Sequence, residues 1–222
     1  MNTVLILHGW GSCAKNWQKV KEGLEKRGCK VFLPDLPGFG GNPAPQKPWS
    51  IDDYASWVSE YCEKQNLSQF FLLSHSFGGG IAVKFASRFP EKLQGLILVD
   101  PAIRRVKGPK YYLFLVMAKT GNLILTVTFL SRLKPLLRKI FYKLIGTEDY
   151  RKLDFDKTNI MKETFKKVVS EDLMCCLDKI RNKTLIIWGD QDKITPLKDG
   201  NLICRHIGNA RLEVLKGVKH AP

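Results

Sequence analysis

The stretch "LLSHSFGGG", Leu72 to Gly80, decides how the chain is read. An apolar run ends on Ser74-His75-Ser76, and three glycines follow directly. Residues 70–73 read as a buried strand and residues 79–88 as a helix, so the serines fall on a sharp strand-to-helix turn. Small residues on both sides of Ser76 suit such a turn. A bend that pushes the central side chain outward crowds its neighbours, so Ser74 and Gly78 have to be small.

Outward from this turn the same alternation repeats. Residues 3–7 and 30–33 read as strands, with helical spacing over 14–27 between them. Ser50 and Asp53 form an S-x-x-D capping signature for a helix to about residue 64. Residues 93–99 are a fourth strand. This order implies a parallel sheet with helices on both faces. The alternation stops at Asp100-Pro101. Residues 102–180 are helical in pattern, rich in Leu, Phe and Lys. It resumes with a strand at 184–188, a helix after Thr195-Pro196 to about 206, and a strand at 211–215. The division is therefore a core of residues 1–100 and 181–222 with a helical insertion at 101–180.

Composition excludes several classes. With 222 residues, 44% hydrophobic and 26% charged, the chain suits one globular domain with an insertion. The six cysteines show no C-x-x-C pair and no zinc spacing, so no metal is expected, and they read as reduced thiols. The opening "MNTVLILHGW" carries too short an apolar run for a signal peptide, and a cytoplasmic protein is expected. Tyr111 to Leu130 is apolar but is broken by Lys119-Thr120-Gly121-Asn122 near its centre. Two short helices are expected there rather than a span, and contact with a membrane surface is not expected. The net charge is +15, and residues 101–183 hold 19 Lys/Arg against 8 Asp/Glu. These lysines are scattered among aliphatics, not clustered with aromatics, so no specific nucleic-acid partner is expected.

A serine hydroxyl is a weak nucleophile until a base takes its proton. Of the four histidines, His8 lies in a His-Gly turn, His75 adjoins Ser76 and should point away from it, and His206 ends a helix. His220 is late in the chain and follows the last strand, at the strand end where sites of parallel sheets form. It is the candidate base. Asp100, Asp190 and Asp192 each follow a strand and are the candidate carboxylates.

The quoted segments "LILHGWG", "PDLPGFGGN", "LLSHSFGGGIA", "LILVDPA", "LIIWGDQDKITP" and "GVKHAP" fall along nearly the whole chain. In this order the chain resembles the α/β-hydrolase fold family, in its group of lid-containing serine esterases that includes pimeloyl-ester carboxylesterases. The resemblance implies an α/β fold with a mostly parallel sheet, helices on both faces and a helical lid. It implies Ser76, Asp192 and His220 as a catalytic triad in family order. Asp192 is the Asp of the family's G-x-x-D-x-x-x-P, Asp100 holds the alternative acid position of some relatives, and Asp190 and Asp35 are left to brace turns. The backbone N–H groups of Trp10 and Phe77 are implied as the oxyanion hole. Relatives commonly carry two more strands ahead of "VLILHGWG" and a helix after the histidine, and a partner or further chain is expected to cover that sheet face.

The expected activity is hydrolysis of a small-molecule carboxylic ester without a cofactor. Trp10, Tyr111, Phe114 and Met117 are the expected substrate-binding residues, the last three on the lid. Thioesterase, lactonase and C–C bond hydrolase activity on the same three residues, and a non-catalytic binding protein of the same fold, are the alternatives. Dehalogenase and epoxide hydrolase are disfavoured, because their relatives carry Asp where this chain has Ser76.

Overall fold

The computed structural model describes residues 1–104 and 159–220. They belong to one compact unit, Met1–Arg104 with Phe155–Pro222, and the intervening Arg105–Asp154 forms a second. The expected substrate-binding residues Tyr111, Phe114 and Met117, and the segment Tyr111 to Leu130, lie outside the described residues.

Among the described residues six strands form one sheet: β1 (Thr3–Leu7), β2 (Lys30–Phe32), β3 (Phe70–His75), β4 (Leu93–Val99), β5 (Thr184–Gly189) and β6 (Ala210–Leu215). Their order is β2-β1-β3-β4-β5-β6, and every pair is parallel. Parallel strands need crossovers that cover both faces, and the inner strands β1, β3, β4 and β5 are accordingly mainly apolar runs, whereas the edge strand β6 (Ala-Arg-Leu-Glu-Val-Leu) is half polar and largely exposed. In β1, Leu5 and Leu7 enter a large cluster with Leu72, Leu96, Leu98, Ile186 and Trp188. Val4 and Ile6 point the other way, to Val31 and the half-buried Trp17, Leu24 and Leu73. Each such side chain contributes about 1.5–3 kcal/mol by leaving water.

The helices described are α1 (Gln18–Glu25), α2 (Ile51–Lys64), α3 (Phe77–Arg88), α4 (Asn159–Ser170), α5 (Met174–Leu177) and α6 (Leu197–His206). A 3-10 turn over Ala14–Trp17 precedes α1, where the spacing predicts one continuous helix. The capping box of α2 is formed: Asp53 N–H donates to Ser50 Oγ at 3.2 Å, and Ser50 N–H to Asp53 Oδ2 at 2.7 Å. Helices α2 and α3 bury Tyr54, Val58, Ile81 and Phe85 in the large cluster. Val168 of α4 and Leu177 of α5 join the same cluster. Contacts thus assign residues 155–180 to the unit that holds the sheet; the sequence division places them in the insertion. Among the described residues no helix is long and apolar enough to cross a membrane.

Helix α3 begins at Phe77, two residues before the predicted start, with Ser76 as its N-cap. It can do so because Gly78 has no side chain. A Cβ there would stand 2.5 Å from the carbonyl oxygen of Leu7 and 2.7 Å from that of His8. The first turn of α3 therefore lies directly on the end of β1, and this brings the β1 and β3 loops together.

Candidate active site

Ser76 sits at φ 51°, ψ −114°, a conformation that an L-residue adopts only under restraint. The restraint is visible. Ser76 N–H donates to the Val99 carbonyl at 3.1 Å, and the Ser76 carbonyl accepts from Gly79 at 2.9 Å and Ala102 at 2.9 Å. Strand β4 and the first turn of α3 thus clamp the residue on both sides.

His220 lies on the loop after β6 and meets this hydroxyl. Its Nε2 is 2.9 Å from Ser76 Oγ, and its Nδ1 is 2.7 Å from Asp192 Oδ2. A carboxylate can only accept, so the proton of a neutral ring sits on Nδ1, and Nε2 is left bare toward Ser76. That is the tautomer a base for the serine needs.

Asp192 is buried on the loop after β5. Burial by itself would raise its carboxyl, but hydrogen bonds from His220 and Thr195 outweigh this and hold it below the usual range. Oδ1 accepts from the N–H groups of Ile194 at 2.7 Å and Thr195 at 2.9 Å, and Oδ2 also accepts from Thr195 Oγ1 at 2.5 Å. Thr195 reads in sequence as a helix cap. In the structure its hydroxyl serves Asp192 instead, and α6 starts after Pro196 with no side-chain cap. The loop is pinned from below by buried Trp188, whose Nε1–H donates to the Thr195 carbonyl at 2.8 Å.

The other candidate carboxylates have separate positions. Asp190 Oδ1 accepts from Gly217 N–H at 2.7 Å, and Asp35 accepts from Ala14 N–H at 2.6 Å and Gly41 N–H at 2.9 Å. Both brace turns. Asp100 is fully buried at φ 43°, and its Oδ1 accepts from Gly189 N–H at 3.0 Å. Its Oδ2 has no hydrogen-bond partner among the described residues. Burial pushes Asp100 up to about 6; the Gly189 N–H opposes this and the charge of Asp192 adds to it.

The two remaining inner histidines are structural in geometry. His8 is buried, its Nε2 accepts from Leu36 N–H at 3.0 Å, and its Nδ1–H donates to the Gly9 carbonyl at 2.9 Å. Burial lowers its pKa, so the ring is neutral. His75 points away from Ser76, as its place in the strand implies, and its Nε2 lies 2.6 Å from the carbonyl oxygen of His220. His206 is exposed and faces Asp178 at 3.2 Å.

Trp10 and Phe77, the expected oxyanion pair, stand together. Their rings meet edge to face at 5.1 Å, and Trp10 also packs on Phe39 at 4.9 Å and Phe165 at 5.0 Å. Phe77 is the first residue of α3, so its N–H is one that the helix leaves without an i−4 carbonyl. A Cβ on Gly9 would lie 3.4 Å from Ser76 Cβ, so the Gly9-Trp10 backbone runs beside the candidate nucleophile. The Trp10 ring is thus enclosed by Phe39, Phe77 and Phe165.

A parallel sheet with a strained serine between its third strand and the next helix, facing a histidine from the last strand, defines a hydrolase of the α/β class. The model of the alpha/beta hydrolase fold family matches residues 2–145, and the chain belongs to that family. Monoacylglycerol lipase ABHD6 of Homo sapiens is 26% identical over 239 residues, covering 99% of this chain and 70% of that protein. Lipase 3 of Moraxella sp. (strain TA144) is 25% identical over 229 residues, covering 99% of this chain and 71% of that one. Among solved structures, an esterase (EaEST) from Exiguobacterium antarcticum superposes with a TM-score of 0.75 at 22% identity, covering 100% of this chain and 85% of that chain.

Proposed function

We propose that this hydrolase cleaves carboxylic esters through an acyl-enzyme, with Ser76 as nucleophile, His220 as base and Asp192 as its orienting carboxylate. The observation that carries the reading is the unbroken line from Ser76 Oγ through the His220 ring to Asp192, with contacts of 2.9 and 2.7 Å. The lipase names of two relatives support an ester as the substrate class.

Ser76 Oγ attacks the ester carbonyl while His220 Nε2 takes its proton. Asp192 stabilises the imidazolium that results. The negative charge on the carbonyl oxygen is met by the N–H groups of Trp10 and Phe77, each worth roughly 3–4 kcal/mol to the transition state. The tetrahedral intermediate collapses, His220 gives its proton to the departing alkoxide, and an alcohol leaves. Water then enters, gives a proton to His220 and attacks the acyl-enzyme. Collapse returns that proton to Ser76 and releases the acid. Trp10, whose backbone runs beside Ser76, is proposed to contact the substrate. All six cysteines are free, which favours a reducing compartment, and the cytoplasm is the proposed location.

The test is intact-mass labelling of the full chain with a fluorophosphonate, followed by peptide mapping and an assay on p-nitrophenyl esters. A single adduct on Ser76 with matching loss of ester turnover is the expected result. Ester turnover with no adduct on Ser76, or no turnover and no adduct in a folded sample, overturns the reading.

A further inference from the structure

The loop that carries His220 is tied to its surroundings from two sides. On one side it is bound to the loop after β5: Gln191 N–H donates to the Val218 carbonyl at 2.9 Å, and Gly217 N–H to Asp190 Oδ1 at 2.7 Å. On the other side stands His75, the last residue of β3 and the immediate neighbour of Ser76. Its Nε2 approaches the main-chain oxygen of His220 to 2.6 Å. A carbonyl oxygen only accepts, so His75 must carry its proton on Nε2.

The His75 ring cannot easily swing away. It lies 4.9 Å from the His220 ring and 5.7 Å from the Trp17 ring, centroid to centroid. On its Nδ1 side is Gly9, where even a Cβ would come within 2.9 Å. Burial lowers the His75 pKa to about 4, against the raising effect of the His220 carbonyl, so the ring is a neutral donor at pH 7. It is therefore neither a second base for Ser76 nor an added positive charge beside His220.

We propose that His75 is a positioning residue for the reaction: its Nε2–H holds the main chain of His220 so that the His220 ring stays seated between Asp192 and Ser76. This rests on the ester-hydrolase reading of the same site. The side-chain bonds of His220 fix the direction of its ring, and the bond from His75 fixes the distance of its backbone from the nucleophile strand. Both are needed, because small displacements in a base-to-nucleophile contact reduce rate far more than they reduce stability.

Two variants separate this role from space filling. His75→Leu removes the donor without lengthening the side chain, and His75→Gln returns an amide N–H near the place of Nε2. Using the full chain and p-nitrophenyl butyrate, His75→Leu is expected to lower kcat about 100-fold with KM unchanged, and to slow fluorophosphonate labelling of Ser76 in parallel. His75→Gln is expected to recover to within about tenfold of the unmodified chain. In a His220→Ala background, where no ring remains to be seated, His75→Leu is expected to cost nothing more. A His75→Leu rate within about twofold of the unmodified chain overturns the proposal. So does an equal loss in the His220→Ala background, which would mean that His75 acts on Ser76 directly. Should His75→Leu not fold, 15N-histidine NMR on the unmodified chain decides: a neutral His75 protonated on Nε2 supports the bond, and protonation on Nδ1 overturns it. If the unmodified chain neither hydrolyses the ester nor labels, the ester-hydrolase reading fails and this role fails with it. If only the variants contradict expectation, the failure is confined to His75.

Discussion

Asp192 and Asp100 face the same histidine from the ends of adjacent strands, but only Asp192 bonds to it. Asp192 Oδ2 is 2.7 Å from His220 Nδ1. Asp100 has a carboxylate oxygen within 4.8 Å of a His220 ring nitrogen, and its hydrogen bond goes to Gly189 N–H. The expected consequence is a large asymmetry. Asp192→Asn lowers kcat on p-nitrophenyl butyrate about 10⁴-fold, because an amide favours the wrong tautomer of His220. Asp100→Asn lowers it less than about tenfold, since the bond from Gly189 survives. Steady-state kinetics of the two purified variants check this, and equal losses would show that the carboxylates share the role.

The two carboxyls also part in their effect on stability with pH. Asp100 titrates near 6 when folded and ionises near 3.8 otherwise. Its folded value is raised, so the stability it contributes is complete below about pH 4 and is lost as pH climbs through 6. Asp100→Asn mimics the protonated form at every pH. Thermal unfolding is therefore expected to give the variant and the unmodified chain the same Tm at pH 4. At pH 8 the variant is the more stable, by on the order of 3 kcal/mol. A gap that stays constant across this range would contradict the burial argument.

Ser76 holds a backbone conformation that glycine tolerates far better. Ser76→Ala and Ser76→Gly should both reduce ester turnover by at least about 10⁴-fold. Their stabilities should differ: Ser76→Gly relieves the positive φ and is expected to be more stable than Ser76→Ala by about 1 kcal/mol, after the entropy that glycine loses on folding. Denaturant midpoints of the pair measure it.

Gly78 is the contact on which α3 rests against β1. Gly78→Ala places a methyl 2.5 Å from the Leu7 carbonyl oxygen, and backbone cannot rotate out of the way. A loss of about 1–3 kcal/mol is expected, together with slower fluorophosphonate labelling as Ser76 is pushed from Gly9. Circular dichroism melts and labelling rates check both parts.

Thr195 donates to Asp192, the carboxylate bonded to His220. Thr195→Val removes the donor at nearly constant volume and is expected to lower kcat about tenfold, with Thr195→Ser restoring most of it. Loss of activity in Thr195→Ser as well would point to the methyl group instead.

The strands and the strand-end positions of Ser76, Asp192 and His220 were legible in the chain because each depends on local pattern: an aliphatic run, a turn of small residues, a helix signal. The start of α3 was placed late, since its first turn is set by contact with β1 and not by helix propensity. Thr195 looked like a cap because a Thr-Pro pair often is one; its real partner is set by the fold of its own loop. His75 and Asp100 were visible as residues beside strand ends, but their partners, His220 and Gly189, were not, because these lie 145 and 89 residues away. Packing across such distances is invisible in a single sequence. The substrate-binding residues expected on the insertion lie outside the described residues.

That separation also sets when the site comes into being. The Ser76 turn is closed by Val99, on the neighbouring strand, whereas His220 arrives from 144 residues away. Loops of that length are slow to close, and native pairings between distant segments form late. During refolding the hydroxyl is therefore expected in place before His220 reaches it. If Ser76 reacts with a phosphonate as proposed, the onset of labelling marks the docking of β6, and makes the chain its own clock for the assembly of this site.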